Sequence, residues 1–511
     1  MRPPGQNSKD QRGLQLVAVT QGKFLAQHLA QAANQRGLRL EQVICTNDDE
    51  PTAWHEYVVQ KQKLKNSSLV LLLLHHPINL SQLVEATSQE QNVLVCFVGD
   101  GKLPNTAPTK EKKTLPELGP QQVAQALGWP TLNTPEELIE SAWLLKNGLR
   151  PNSGQILVLA SSLDQAALLD DAVATASLSC TEISPKQRKK FQLQKHGVVN
   201  IYEPGEINIL SKLVAELSRQ YIFDCVVAGD SLLEISSAYQ FLTFPPTTDK
   251  KESANQTTLN SLASLLACYR NRDKQHSHAS ASSKKAAIEI LDKHKPFLGE
   301  LQAKALLTCY GLTAPSEKLV GSASAANEAA NRLGFPVAIK AIGPQLVGRS
   351  ELSAVALNLE NGASVRQAFR NVLHACARTK PRPLLDGVLV STMVPLDEYL
   401  DCAVHCVKGI ALLQARRCLA SGRPLMSLIL KCPISDDQAR ESASLLFSKS
   451  PSPSSTQLGR LADFLSRLSQ VGADLTGRII WLHLDTVSLP TDETQALVID
   501  ARGVQKHVTG F

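Results

Sequence analysis

The chain has 511 residues, of which 43% are apolar and 20% charged, so it is too long for one hydrophobic core and several domains are expected. Its net charge of +6 is dilute and comes with only 5% aromatic residues, which does not indicate a nucleic-acid partner. The first residues lack a signal-peptide core, and the longest apolar run, residues 69–74, is too short to cross a membrane. We therefore expect a cytoplasmic protein without a membrane partner.

Eleven cysteines are scattered along the chain, and none of them forms a CxxC pair. Most lie inside apolar runs, a pattern typical of buried free thiols in a reducing compartment. Cys402 and Cys406 flank His405, which could suggest a metal site. On a strand, however, the two cysteines face one way and the histidine the other, so we favour buried thiols.

In chain order, residues 1–13 form a polar tail, and residues 14–103 alternate short apolar runs with helical patterns. The runs LQLVAVTQ, SSLVLLLLHH and NVLVCFVGD are predicted strands. Such alternation predicts a parallel sheet with helices on its faces. Residues 104–150 begin with a stretch rich in Pro, Lys and Thr and are predicted to be a linker and a helix.

A second unit of the same type is predicted over residues 151–243, with the strands QILVLASS, VVNIYEP and FDCVVAG and the basic helix SPKQRKKFQLQKH. Residues 244–285 are polar and low in complexity, with one helical piece, and are predicted to be a linker. His276 and His278 fall in this linker, where we favour loop residues over metal ligands.

The last predicted unit covers residues 286–511. Its segment SVRQAFRNVLHACAR has apolar residues at i, i+3, i+4 and i+7, which predicts an amphipathic helix on a sheet. Strands are predicted at GVLVSTMV, YLDCAVHCV, RIIWLHLD and ALVIDAR. Helices and strands therefore alternate here as well.

Three stretches of this unit, LGELQAKALLTCYGLTAP, AANRLGFPVAIKAIGP and DGVLVSTMVPLDEYL, resemble the ATP-grasp domain of NDP-forming acyl-CoA synthetases. The stretches IIWLHLDTVSL and VIDARG occupy the places of that family's ELDINPL and VDAR. The first two units are similar to the family's CoA-ligase domains. The resemblance implies an α/β protein with two flavodoxin-like, parallel-sheet CoA-ligase domains followed by an ATP-grasp domain.

Two departures from the family bear on mechanism. The family's enzymes begin with a further CoA-binding domain, so the resemblance implies that the CoA site is missing here or is supplied by another subunit or by self-association. They also carry phosphate on a histidine in the motif SHTGALAG, whereas no histidine occurs between His76 and His196. We therefore expect the phosphohistidine relay to be lost.

Lys340 lies at the end of a predicted apolar strand and matches the family's nucleotide lysine. An ammonium group there can reach phosphate oxygens, although the alternative is a lysine that extends from the strand into solvent. The family's next loop, LHKSDVGGV, reads LVGRSELSAV here. Gly348 replaces its histidine, Arg349 its lysine, and Ser353 and Ala354 its two glycines, so charge is roughly kept while the nucleophile and the room for phosphates are lost.

Further site residues follow from the same resemblance. Glu398 falls where the family carries a glutamate near the nucleotide, with a solvated loop carboxylate as the alternative. Asp485 and Asp500 occupy the places of the two magnesium ligands, two oxygen donors that keep an Mg²⁺ site possible. The alternative for Asp485 is a turn residue after the strand.

The family's Gly-rich phosphate loop, expected after IALLQ, reads ARRCLASGRPL. Arg416 and Arg417 in this stretch either compensate for the lost backbone amides or are ordinary surface charges. We favour surface charges.

These observations predict a diverged family member that binds Mg-ATP through Lys340, Arg349 and Glu398 and has no assigned catalytic residue. It would act as a non-catalytic or regulatory subunit. The alternatives are an active ligase or carboxylate phosphotransferase that works without the histidine relay, and an interaction scaffold that binds no nucleotide.

Overall fold

The computed structural model describes residues 14–46, 54, 58, 68–75, 80–87, 92–98, 119–149, 151, 153–202, 207–228, 240–243, 256–270, 281–293, 297–343, 346, 354–380, 382–448 and 453–506. The chain forms two units, the first from residues 1–105 and 127–273, the second from residues 106–126 and 274–511. Within the described ranges, no helix combines the length and the apolar character that a membrane span requires.

The first unit begins with a five-stranded parallel sheet of order β2-β1-β3-β4-β5, the flavodoxin-like order. Its strands are β1 (Gln15–Gln21), β2 (Gln42–Thr46), β3 (Ser68–His75), β4 (Asn92–Val98) and β5 (Thr131–Leu132). The central strand β3 is buried along nearly its whole length, as its unbroken apolar run predicts for a parallel sheet covered on both faces. The helices of this part whose bounds the structure describes are α1 (Lys23–Gln35), α2 (Leu80–Thr87) and α4 (Pro135–Lys146), while α3 (Pro120–Ala126) belongs to the second unit.

The second sheet of the first unit has the order β10-β9-β6-β8-β7. Its pairs are parallel except for the β7–β8 hairpin, in which Gly197 adopts a φ of 54°, a value that favours glycine in a tight turn. The strands are β6 (Ile156–Ala160), β7 (Gln194–His196), β8 (Val199–Ile201), β9 (Cys225–Ala228) and β10 (Gln240–Thr243). The helices are α5 (Leu163–Thr175), α6 (Pro185–Lys190), α7 (Ile207–Gln220) and α8 (Gln256–Arg270).

Parts of both segments predicted as linkers belong to the folded core of the first unit. Within residues 104–150, β5 pairs with β4 and completes the first sheet. Within residues 244–285, α8 buries Leu259, Leu262 and Leu265 in a core that includes residues of both sheets. A two-residue strand has no periodicity to detect, and α8 is hidden among polar neighbours, so only tertiary contacts reveal these roles.

The second unit contains two antiparallel sheets, of orders β12-β15-β13-β14 and β11-β20-β19-β16-β17-β18. The ten strands are β11 (Phe297–Leu298), β12 (Glu317–Val320), β13 (Val337–Ile342), β14 (Val355–Leu359), β15 (Gly387–Thr392), β16 (Glu398–Val407), β17 (Ile410–Leu419), β18 (Pro424–Lys431), β19 (Ile479–Ser488) and β20 (Val498–Gln505). The helices are α9 (Ala281–Lys293), α10 (Glu300–Thr308), α11 (Ala323–Leu333), α12 (Gly362–Arg378), α13 (Asp436–Leu446) and α14 (Ser455–Leu475). The mixed α/β class predicted from the sequence is confirmed.

The amphipathic helix predicted from SVRQAFRNVLHACAR is α12. It begins at a capping box formed by Asn361 and Ser364, which satisfies two backbone donors at the helix start. The predicted apolar face is buried through Val365, Phe369 and Val372 and packs on the smaller sheet. Ile339 and Ala341 of β13 belong to the same core, so Lys340 between them lies on the opposite face of the strand, where its Nζ reaches Asp500 of the larger sheet.

The larger sheet has one apolar and one polar face. Leu400, Cys402 and Val404 of β16 pack in the core that also contains Leu465 and Leu468 of α14. Because side chains alternate along a strand, Asp401 and His405 lie on the opposite face. That polar face is where the charged residues of the second unit meet.

We expect Leu262→Ala to lower the free energy of unfolding of the first unit by about 2–5 kcal/mol, because the side chain is fully buried and its removal leaves a cavity. Urea unfolding followed by hydrogen–deuterium exchange in α4 measures this. Ala267→Ser, at an exposed position of the same helix, serves as the control. An unchanged midpoint in Leu262→Ala would place α8 outside the core.

Candidate functional site

Lys340 is the centre of a buried polar network in the second unit. It lies in β13 and is only 4% exposed. Its Nζ donates to Asp500 Oδ1 at 2.8 Å and to the backbone oxygen of Ile499 at 2.8 Å, both in β20. The alternative of a lysine that extends into solvent is therefore wrong, and the structure brings together two of the residues singled out from the sequence.

The same network continues through α10 to the edge of the smaller sheet. Glu300 Oε1 lies 3.4 Å from Lys340 Nζ and 2.7 Å from Lys304 Nζ, and Lys304 Nζ also contacts Glu317 Oε2 at 2.7 Å. Three carboxylates and two ammonium groups thus alternate from β12 to β20. Buried charges are tolerated when they are paired and hydrogen-bonded in this way.

A second set of charges crosses the polar face of the larger sheet. His483 Nε2 lies 2.9 Å from Asp401 Oδ1, and His483 Nδ1 lies 3.3 Å from Asp485 Oδ1. The row ends in an arginine on each side, with Arg416 on Asp401 and Arg502 on Asp485 at 3.0 Å. Five side chains from four adjacent strands therefore form one continuous row in which basic and acidic residues alternate.

Glu398 is the first residue of β16 and pairs with Arg417 of β17. Arg417 Nε donates to Glu398 Oε2 at 2.7 Å, and its Nη1 donates to the backbone oxygen of Leu446 at 3.2 Å. The Arg417 guanidinium also lies over the ring of Phe447, 4.7 Å from its centroid. Arg417 therefore contacts both Glu398 and the last residue of α13.

The interpretation of Arg417 as a surface charge is wrong, because this residue is 2% exposed. The stretch ARRCL, expected to be a phosphate loop, continues β17 to Leu419, so backbone hydrogen bonds to β16 and β18 occupy it. Asp485 lies inside β19 and not in a turn after it. Arg349 lies outside the described residues, as do Gly348 and Ser353.

Comparison with known proteins shows which proteins this chain resembles. Residues 289–408 match the profile of an ATP-grasp domain. The beta subunit of acetate–CoA ligase [ADP-forming] I from Pyrococcus furiosus is 33% identical over 113 residues, which cover 22% of this chain and 49% of that subunit. The 4-hydroxybutyrate–CoA ligase [ADP-forming] of Nitrosopumilus maritimus is 21% identical over 344 residues, which cover 59% of this chain and 49% of that ligase.

This chain contains an ATP-grasp domain and is similar, over part of its length, to NDP-forming acyl-CoA synthetases. The family resemblance predicted from the sequence is confirmed. The chain spans about half the length of the two curated relatives. Among solved structures, an acetyl-coenzyme A synthetase of Ca. Korarchaeum cryptofilum, in complex with coenzyme A and Ca-AMPCP, aligns over 44% of this chain and all of that chain, with 21% identity and a TM-score of 0.39.

The two predicted magnesium ligands, Asp485 and Asp500, lie on neighbouring strands. Asp500 in β20 is opposite Thr486, the residue after Asp485 in β19. Two carboxylates suit Mg²⁺, which usually binds one or two protein carboxylates together with phosphates, so the donor set fits. Within the described part of the chain, no group of three or more His, Cys, Asp or Glu is arranged to hold a metal, and Cys402 with Cys406 is buried in the core as predicted.

Two residues on the polar face of the larger sheet, Asp401 and His405, have shifted pKa values. Burial would raise the pKa of Asp401, but the hydrogen bond from His483 and the charge of Arg416 outweigh it and hold the pKa below its usual value. Burial lowers the pKa of His405 to about 4, with a smaller contribution from His483. His405 is therefore neutral at pH 7, and its Nε2 has no hydrogen-bond partner among the described residues.

Sequence reasoning missed Glu300, Lys304, Glu317 and His483 as members of the two networks. Glu300 and Lys304 are spaced i, i+4 on α10, the spacing of a helical ion pair, and this signal was available. His483 carried no such signal, because its partners come from other strands.

Acidification should destabilise the second unit through His405. In the unfolded chain His405 takes up a proton near its ordinary pKa of 6.5, whereas in the folded state its pKa is about 4. The unfolded state therefore binds more protons between these two values, and stability is lost as the pH falls from 6.5 to 4. The full loss is about 3 kcal/mol. We expect His405→Leu to flatten the slope between pH 6.5 and 4, measured as urea midpoints from hydrogen exchange in α14, while His374→Leu at an exposed position keeps it.

Proposed function

We propose that this chain is a diverged acyl-CoA synthetase homologue that binds Mg-ATP without a phosphohistidine relay and serves as a non-catalytic, regulatory subunit. The observation that carries the proposal is the contact between Lys340 Nζ and Asp500 Oδ1 at 2.8 Å. Lys340, which we assign to the phosphates, and Asp500, which we assign to magnesium, form an ion pair with each other. We expect this pairing in a nucleotide site that holds no ligand.

Mg-ATP can replace this ion pair without leaving a buried charge uncompensated. Phosphate oxygens would take the place of Asp500 at Lys340, and Mg²⁺, held by Asp485 and Asp500, would take the place of Lys340 at Asp500. Bound magnesium would neutralise phosphate charge. ATP without the cation would set its phosphates against Asp500, so binding should require both.

The residue types at the positions of the two carrier histidines support the loss of the relay. Gly348 stands where the family places one phosphate-carrying histidine, and no histidine occurs between His76 and His196, where the family places the other. A glycine has no side chain that accepts a phosphoryl group. The charged residues that remain, Lys340 and Asp500, can bind and neutralise phosphates but offer no covalent carrier.

A partner subunit would supply the acyl-CoA chemistry that this chain would regulate. The Pyrococcus furiosus relative is named a beta subunit, and it is 33% identical to this chain over 113 residues. We infer that this chain assembles with a CoA-binding subunit or with a second copy of itself.

The alternative is an active ligase that phosphorylates a carboxylate directly in the cleft. It is favoured by the proximity of Lys340 to Asp500, because a phosphate-binding ammonium and a magnesium ligand must lie side by side for such a transfer. Lys340 would position the phosphate, and Asp485 and Asp500 would hold the metal. His483 Nδ1 lies 3.3 Å from Asp485 Oδ1 at this site.

For the non-catalytic function, we expect purified chain with Mg-ATP, CoA and a panel of short carboxylic acids to release no acid-dependent ADP. A coupled assay for ADP measures this, and circular dichroism shows that the protein is folded. Acid-dependent release that is lost in Lys340→Met would instead establish the relay-free ligase.

Mg-ATP should raise the apparent melting temperature, because a ligand that binds only the folded state stabilises it. We expect no shift for ATP with a chelator and none for Lys340→Met, whereas Lys318→Met, at an exposed position of β12, keeps the shift. Lys340→Arg preserves the charge and provides a second folded variant, which should bind at least tenfold more weakly. An equal shift in all four proteins would exclude Lys340 from the nucleotide site.

A further inference from the structure

A cleft of about 130 Å³ opens in the first unit beside the β7–β8 hairpin. It is lined by residues 180–183, which precede α6, and by Arg188 of α6, Lys195 of β7 and Asn200 of β8. A cavity of about 150 Å³ accommodates a molecule the size of benzene. The cleft therefore matches the size of a small ion or a short acid and is too small to enclose a nucleotide or CoA.

Asn200 is the least exposed polar residue of this cleft. It is 2% exposed and lies opposite Lys195 on the hairpin and beside Leu159 of β6, so these three share a face of the sheet. The face is otherwise apolar, with Leu157 and Leu159 in the core beneath it. Within the described residues, no group donates a hydrogen bond to Asn200 Oδ1. A buried acceptor without a donor is unfavourable and is typical of a place where a ligand donates.

The cleft carries a local excess of positive charge. The Arg188 side chain forms no ion pair or hydrogen bond with any described residue, whereas Lys190 of the same helix is paired with Glu216. Lys195 Nζ lies 3.4 Å from Glu182, whose side chain is 87% exposed, so solvent weakens this pair. The charged residues that line the cleft are two cations and one carboxylate, and Asp170, which accepts from the backbone N–H of Val198, does not line it.

The remaining polar residues of the cleft do not oppose an anion. Burial and, less strongly, the charge of Asp170 raise the pKa of Cys180 to about 12, so Cys180 is a neutral thiol at pH 7. Thr181 donates its hydroxyl to the backbone oxygen of Ile222. A guanidinium group provides a planar set of donors that matches the oxygens of phosphate and carboxylate groups.

We propose that this cleft binds a small oxyanion that also carries a hydroxyl hydrogen, of which hydrogen phosphate and a short hydroxy acid are the two sources. The anionic oxygens accept from Arg188 and Lys195, and the hydroxyl group donates to Asn200 Oδ1. The site lies within the first unit and is independent of nucleotide binding by the second, so it stands whether or not the function proposed above is correct.

Calorimetric titration of the full chain at pH 7 with phosphate, sulfate, glycolate and acetate tests the proposal. Sulfate matches phosphate in shape but has no proton to donate, and acetate lacks the hydroxyl of glycolate. We expect phosphate to bind at least tenfold more tightly than sulfate, or glycolate to bind at least tenfold more tightly than acetate. Whichever of phosphate and glycolate binds more tightly shows whether the ligand is hydrogen phosphate or a hydroxy acid. Binding of none of the four, or equal binding within both pairs, overturns the proposal.

Two variants locate the binding. Arg188→Gln should weaken the preferred anion at least tenfold, while Lys189→Gln, an exposed neighbour on α6 that does not line the cleft, should leave it unchanged. Asn200→Ala removes an acceptor that has no donor, so it should fold normally, retain anion binding and lose the preference for the hydroxyl-bearing member of each pair. Unchanged affinity in Arg188→Gln, or a preserved preference in Asn200→Ala, overturns the proposal.

Discussion

The ion pair between Lys340 and Asp500 connects the two sheets of the second unit, since Lys340 lies in β13 and Asp500 in β20. Removal of one partner from a buried ion pair costs about 3–5 kcal/mol, which is an upper limit here because the Asp500 side chain is 26% exposed and Lys340 also contacts Glu300. Glu300 and Lys304 extend the same network into α10, so the helix and both sheets depend on a common set of charges. The charges that form the candidate site therefore also hold the two sheets and α10 of the second unit together.

This dependence limits how the site can be used. In the nucleotide site that we propose, the cation is already paired, so we expect a response only to a ligand that replaces both partners at once, as the cation and anion of Mg-ATP would. The row from Arg416 to Arg502 is balanced in a similar way, because each carboxylate contacts an arginine and the central His483. These paired charges support the proposal that the second unit recognises a nucleotide without turning it over.

The first unit shows the opposite condition. Its cleft near Asn200 combines an acceptor without a donor and an arginine without a carboxylate, so the polar groups there are incomplete within the described residues. The physical difference between the two regions is pairing and not burial, since Lys340 and Asn200 are about equally buried. Incomplete pairing marks the place where an external group has most to contribute.

The sequence by itself determined the fold class, the family resemblance and the strands on which the charged residues lie. Apolar runs and helical periodicity are local properties, so β3, α12 and the strand that carries Lys340 could be predicted. The family resemblance placed Lys340, Glu398, Asp485 and Asp500, but it could not determine their partners. Only the tertiary structure decided that Lys340 faces Asp500, that Arg417 is buried on Glu398, and that α8 belongs to a core, because each depends on residues far apart in the chain coming into contact.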